Sequence, residues 1–128
     1  VFRLARETGV ARAVHVSTEA VLADGLPLVQ VDETRPFPTR FAGGYSRSKA
    51  LAEQAALEVS GPGFEVMVVR LRMVWGNDDT TMTAQLEKAA RSGQLVWIGG
   101  GRSLTSTTHI DNLVHAIDLA LERGRGGR

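Results

Sequence analysis

The sequence predicts an α/β fold built on parallel strands, and three stretches carry that expectation. Ala13-Val14-His15-Val16-Ser17-Thr18 has the pattern of a buried strand that ends in hydroxyls, directly after a helical stretch. Phe64-Glu65-Val66-Met67-Val68-Val69-Arg70-Leu71 is the strongest strand pattern in the chain, β-branched and mostly apolar. Between them, residues 42–60 read as one helix after Gly43-Gly44. Strand, helix and strand in that order imply a right-handed crossover and parallel pairing. In such sheets ligands gather beyond the carboxyl ends of the strands, which puts Thr18 at the edge of a site. A turn or cap hydroxyl is the competing role for it.

In chain order, residues 1–8 are helical in pattern, with Phe2, Leu4 and Ala5 apolar, and Gly9 is the stop. After the first strand, residues 22–41 contain Pro27, Pro36 and Pro38 and form a long loop, of the kind that covers or shapes a site. In the following helix Ala50, Leu51, Ala55, Leu57 and Val59 supply the apolar side, and Gly61-Pro62-Gly63 ends it. Arg72–Asp79 leaves the second strand, and Trp75 there either lines a pocket or fills core. Asp78-Asp79 is read as the start of the next helix rather than a metal site, since carboxylates are favoured near a helix N-terminus. That helix ends near Ser92, with Met82, Leu86, Ala89 and Ala90 apolar. Leu95-Val96-Trp97-Ile98 reads as a short strand. Gly99-Gly100-Gly101 has no Lys-Ser/Thr after it and reads as a turn, not a phosphate loop. Thr105–Thr108 is polar and β-prone. Asp111 or Asn112 caps a last helix, Leu113–Glu122, with Leu113, Ala116, Ile117, Ala120 and Leu121 on one side.

Tyr45 and Lys49 stand four apart on the middle helix, so they share a face one turn from each other. An ammonium near a phenol favours the phenolate, which is what a Tyr needs to act as an acid or base. The Lys also offers hydrogen bonds to a polyol such as a ribose. Alone the pair is a weak signal, because an exposed Tyr and a solvated Lys on an amphipathic helix look the same.

The 128 residues suffice for one domain with a core, and the net charge of +1 gives no field for nucleic acid. The terminal Arg123, Arg125 and Arg128, with glycines between, read as a frayed end rather than a nucleic-acid contact. There is no Cys, so neither a disulfide framework nor a thiolate metal site is expected, and His15, His109 and His115 follow no metal-ligand spacing. No apolar run reaches membrane-spanning length and no signal peptide is visible, so a soluble, cytoplasmic protein is the default expectation. Val1 already lies in a helical pattern and the chain ends in Gly124-Arg125-Gly126-Gly127-Arg128, which suggests a piece of a longer chain.

Four landmarks in order, Val16-Ser17-Thr18-Glu19-Ala20-Val21, Tyr45-Ser46-Arg47-Ser48-Lys49, Val69-Arg70-Leu71-Arg72-Met73-Val74-Trp75-Gly76 and His109-Ile110-Asp111-Asn112, resemble the extended short-chain dehydrogenase/reductases. This is the NAD-dependent epimerase/dehydratase and 3β-hydroxysteroid dehydrogenase group, and the resemblance covers nearly the whole chain. It implies the C-terminal part of a Rossmann-type doubly wound parallel sheet, with the start of a small substrate-binding region around 76–108. The whole of 1–128 would then be one partial NAD(P)-binding domain whose first βαβ units lie upstream.

The resemblance also implies roles. Tyr45 would be the catalytic acid/base. Lys49 would assist it and bind the nicotinamide ribose of NAD or NADP. Thr18 would hydrogen-bond the oxygen of a small-molecule substrate, with Ser17 on the cofactor side. Leu71, Arg72 and Val74 would lie near the nicotinamide, and Glu19 and Trp75 near the substrate. His109 and Asp111 match a landmark that is mainly structural. A homodimer through the Tyr45 helix is also implied.

Departures from the pattern narrow the expectation. The family's Gly-x-x-Gly-x-x-Gly turn is absent and is expected upstream of Val1. Leu71 stands where Pro is typical and Trp75 where Tyr is typical. The family's dehydratases carry Asp-Glu after the Thr, whereas here Glu19 is followed by Ala20. Its sugar-nucleotide epimerases often carry a phosphate-gripping Arg where Thr105 stands, and Arg102 is out of register. The expected function is therefore an alcohol/ketone oxidoreductase on an apolar or small carbonyl compound. The alternatives are a nucleotide-sugar epimerase/dehydratase and a non-catalytic dinucleotide-binding regulatory protein.

Overall fold

β-Branched runs and glycine punctuation turn into alternating helices and strands in the computed structural model, which describes residues 1–127. Helix α1 is Phe2–Glu7, strand β1 Arg12–Thr18, and a 3-10 turn follows at Glu19–Leu22. Helix α2 is Gly44–Leu57, β2 Glu65–Leu71, β3 Val74–Trp75 and α3 Met82–Arg91. A second 3-10 turn at Ile98–Gly101 precedes β4, Thr108–His109, and α4, Ile110–Arg123. The chain divides into two compact units, one of residues 1–71 with the described residues from 115 on and one of residues 72–114.

In the first unit β1 and β2 pair in parallel, from Arg12 opposite Glu65 to Thr18 opposite Leu71. Side chains alternate across a strand, so Ala13, His15 and Ser17 share a face with Val66, Val68 and Arg70, and Val16 lies on the other. α2 packs on the first of these faces. Ala56 joins Phe64 and Val66 in one apolar cluster, with Phe2, Ala5, Ala13 and Val59 packed against it. Ala50 joins Val21 and Leu22 in a second, onto which the long loop folds Leu28, Val31, Phe37 and Phe41. The ends of that loop meet where Ala42 N–H donates to the Ala23 carbonyl at 2.8 Å, so it is a self-packed Ω-type loop.

The buried stripe of α2 is Ser46, Ala50, Glu53 and Ala56. The expected apolar side is corrected: Ala50 faces in, but Leu51 is 53% exposed and Ala55 is exposed. The helix turns a partly polar face inward because the strand ends it meets carry Ser17 and Arg70.

The terminal arginines do not form a frayed tail throughout. Arg123 closes α4, and Arg12 donates to the carbonyls of Glu122 and Gly124. Gly127 N–H donates to Val66 O at 3.1 Å. A side chain at Gly124 would run into the Ala120 carbonyl and Met67, and one at Gly126 into Glu65, so both glycines allow close approach to β2. Arg128 lies outside the described residues.

In the second unit β3 and β4 pair in parallel, Val74 with Thr108 and Trp75 with His109. The strand expected at Leu95–Ile98 is absent. Val96, Trp97 and Ile98 are exposed, and Gly99, Gly100 and Gly101 all take positive φ, which curls the chain away from any partner strand. Asp79 does start α3: its carboxylate accepts from the Thr81 N–H and hydroxyl at 2.9 and 2.6 Å and from the Thr83 N–H at 2.9 Å. Those bonds hold its carboxyl well below the usual carboxylate range. The last helix begins at Ile110, so Asp111 lies inside its first turn and is no cap. The ring Nδ1 of His109 accepts from the Asp111 N–H at 3.3 Å instead. Leu113 is buried and His115 is exposed on α4. Among the described residues no helix is long and apolar enough to cross a membrane.

Phe64 is fully buried. Phe64→Ala is expected to cost about 3–5 kcal/mol of stability, whereas Leu4→Ala, at a position 62% exposed, should change it by less than about 0.5 kcal/mol. Urea unfolding midpoints of the two variants check this.

Candidate active site

Parallel pairing brings the carboxyl ends of β1 and β2 level, so Thr18 and Leu71 are register partners. Thr18 extends into the 3-10 turn and caps it: its Oγ1 accepts from the Ala20 N–H at 3.3 Å and donates to Glu19 Oε2 at 3.1 Å. The cap role set against the site role is thus realised, at the strand end where a site is expected.

α2 starts after the extended Gly43 and presents Tyr45 in its first turn. Tyr45 is 63% exposed, and its carbonyl accepts from Ser48 Oγ at 2.9 Å. One turn on, Lys49 is half-buried and donates from Nζ to the Val16 carbonyl at 3.4 Å. The ammonium therefore sits on the backbone of β1, two residues before Thr18. It has three donors and this contact uses one, so the donor set fits the hydroxyls of a ribose.

Ser17, expected on the cofactor side, is a buried residue one position before the end of β1. It is 4% exposed, and its hydroxyl donates to Glu53 Oε2 at 2.6 Å. This bond commits the hydroxyl to the fold. Glu53 also accepts from Arg70, from Nε at 3.1 Å and from Nη2 at 2.7 Å. The Arg70 guanidinium lies over the Phe37 ring, 5.4 Å from its centroid. Glu53 and Arg70 were missed from the sequence. The available signal was an arginine inside the most apolar strand, which requires an acidic partner once buried.

Arg72, Val74 and Trp75 belong to the second unit. Arg72 Nε donates to Thr105 Oγ1 at 2.9 Å. Val74 lies in β3. Trp75 is neither core nor buried: it is 39% exposed, donates from Nε1 to Thr107 Oγ1 at 3.1 Å and meets the His109 ring edge-on at 4.8 Å.

His15 shares the α2-facing side of β1. Its Nε2 is buried without a hydrogen bond, and Phe2 meets its ring edge-on at 5.7 Å. Burial, and next the Lys49 ammonium, hold its imidazole below the ordinary 6.5, with Glu53 opposing. A histidine harder to protonate folded than unfolded contributes its full stability above 6.5 and loses it as pH falls below that value. His15→Leu is therefore expected to flatten the fall in unfolding free energy between about pH 7 and pH 5, which urea titrations at several pH values check.

Comparison with known proteins gives consistent results. Residues 1–128 match the family model described as NAD dependent epimerase/dehydratase family. The chain is 53% identical over 127 residues to a 4-hydroxy-2-methyl-3-oxo-4-farnesyl-3,4-dihydroquinoline-1-oxide ketoreductase of Stigmatella aurantiaca, covering 99% of this chain and 38% of that protein. It is 34% identical over 112 residues to a decarboxylating sterol-4-alpha-carboxylate 3-dehydrogenase of Dictyostelium discoideum, covering 85% of this chain and 34% of that protein. The solved dTDP-glucose 4,6-dehydratase of Bacillus anthracis, in complex with NAD, superimposes with a TM-score of 0.77 at 25% identity, over 99% of this chain and 42% of the other. The chain thus has the Rossmann-type α/β fold of that dehydratase and spans little more than a third of the relatives it matches in sequence.

Proposed function

The chain belongs to the NAD dependent epimerase/dehydratase family, and from that premise we propose that it carries the acid–base part of an NAD(P)-dependent oxidoreductase interconverting a secondary alcohol and a ketone. The observation that carries this reading is Lys49 Nζ on the Val16 carbonyl, one helical turn from Tyr45 and beside the strand end that bears Thr18. Such a bond orients the ammonium without exhausting its donors.

In the reduction, the Tyr45 hydroxyl donates a proton to the substrate oxygen; in the oxidation, the phenolate takes it back. Lys49 stabilises the phenolate and holds the ribose. Thr18 steadies the same oxygen, and to donate to it the hydroxyl must leave Glu19, to which it is held at 3.1 Å. The nicotinamide, when bound, supplies or accepts the hydride. Leu71, Arg72 and Val74 are the cofactor-side residues in this scheme, Glu19 and Trp75 the substrate-side ones, and the segments around 76–108 belong to the substrate region. The ketoreductase and sterol dehydrogenase relatives support an apolar ketone or alcohol as substrate. Against a dehydratase stands Ala20, where a second carboxylate would be needed.

In the full-length protein, Tyr45→Phe is expected to lower kcat for ketone reduction by about 10²–10⁴-fold with an unchanged circular dichroism spectrum. A rate within twofold of the parent would show that Tyr45 is not the acid/base. We also propose a homodimer through the outer side of α2, where Leu51 is 53% exposed beside Ala52 and Ala55. Leu51→Glu should then give a monomer in sedimentation, and an unchanged dimer would place the interface elsewhere.

A further inference from the structure

Among the described residues Glu53 is the only charged one classed as buried, at 0% exposure. It occupies the third step of a ridge on α2, four residues beyond Lys49 and eight beyond Tyr45, each step turning about 40° around the axis. Its carboxylate is gripped from two strands at one level, because Ser17 and Arg70 are register partners one residue before the ends of β1 and β2. Burying an ion pair is a poor source of net stability compared with apolar packing. What this one supplies is direction, since a two-oxygen acceptor held by a hydroxyl and a guanidinium fixes both the rotation of the helix and its position along its own axis.

We propose that Glu53 is a positioning residue of the reaction: by gripping Ser17 and Arg70 it holds α2 so that Lys49 reaches the Val16 carbonyl and Tyr45 projects from the turn before it. The inference rests on the roles proposed above for Tyr45 and Lys49. Arg70 extends the same anchor to the long loop by stacking on Phe37.

The test uses the full-length enzyme with Glu53→Gln, which keeps the shape and removes the charge, and Glu53→Met/Arg70→Met, which removes both charges together. Three quantities are read: melting temperature, kcat and KM separately, and the rate of reductive methylation of Lys49 relative to other lysines. The expected result is a folded protein with kcat at least tenfold lower, KM within threefold, and Lys49 methylated at least threefold faster. A purely structural role predicts instead that the double variant, once folded, regains parental kcat and parental Lys49 reactivity, and that result overturns the proposal. Failure of both variants to fold also overturns it, by making the pair a requirement of folding itself. Faster methylation with unchanged kcat upholds the positioning of Lys49 and sinks the catalytic reading of Lys49, so the two ideas fail separately.

Discussion

A carboxylate without water must be surrounded by donors or cease to be charged, and this constraint at Glu53 organises the first unit. Its donors come from Ser17 and Arg70, so β1, β2 and α2 meet at one point near the carboxyl ends of the strands. The apolar clusters on either side, around Phe64 and around Val21, supply the burial that makes the point dry. Removing one partner would leave an uncompensated charge, a change that typically costs about 3–5 kcal/mol. The polar contact is thus enforced by the packing that surrounds it.

The groups assigned to the proposed chemistry are held by weaker contacts than this anchor. Lys49 reaches the Val16 carbonyl at 3.4 Å and Thr18 reaches Glu19 at 3.1 Å, against 2.6 and 2.7 Å for the bonds to Glu53. Long, partly solvated bonds are cheap to exchange. In the proposed reaction, a rigid base beneath adjustable donors would let Thr18 and Lys49 trade protein partners for ligand oxygens while the backbone stays in place.

The parts legible in the sequence were those governed by local pattern. β1 and β2 were visible because Val-containing apolar runs that follow a glycine break have few other solutions, and Tyr45 and Lys49 were visible because a four-residue spacing on a helix fixes a common face. Glu53 escaped notice because, four residues after a lysine, it looks like half of a solvated helix pair. Only strand pairing, which places Ser17 opposite Arg70, reveals that it points inward. The same nonlocal information decides Leu95–Ile98, a good strand sequence without a partner strand; at the start of α4 a local contact was overlooked, since the His109 ring two residues away does the work assigned to an Asp111 side chain. Hydrophobicity misjudged α2 for a related reason: its inner stripe includes Ser46 and Glu53, whereas Leu51 faces out.

The pairing of Ser17 with Arg70 has a consequence for how the chain finds its alignment. Sliding one parallel strand past the other by a single residue sends every side chain on it to the opposite face. Were β1 to slip in this way, Val16 or Thr18 would replace Ser17 beneath α2; were β2 to slip, the guanidinium would turn away and leave the carboxylate stranded. Apolar side chains such as Val66 and Val68 tolerate an exchange with Met67 or Val69, but a buried anion does not. The Glu53 anchor therefore acts as a proofreading mark for strand alignment, rejecting registers that hydrophobic packing alone would accept.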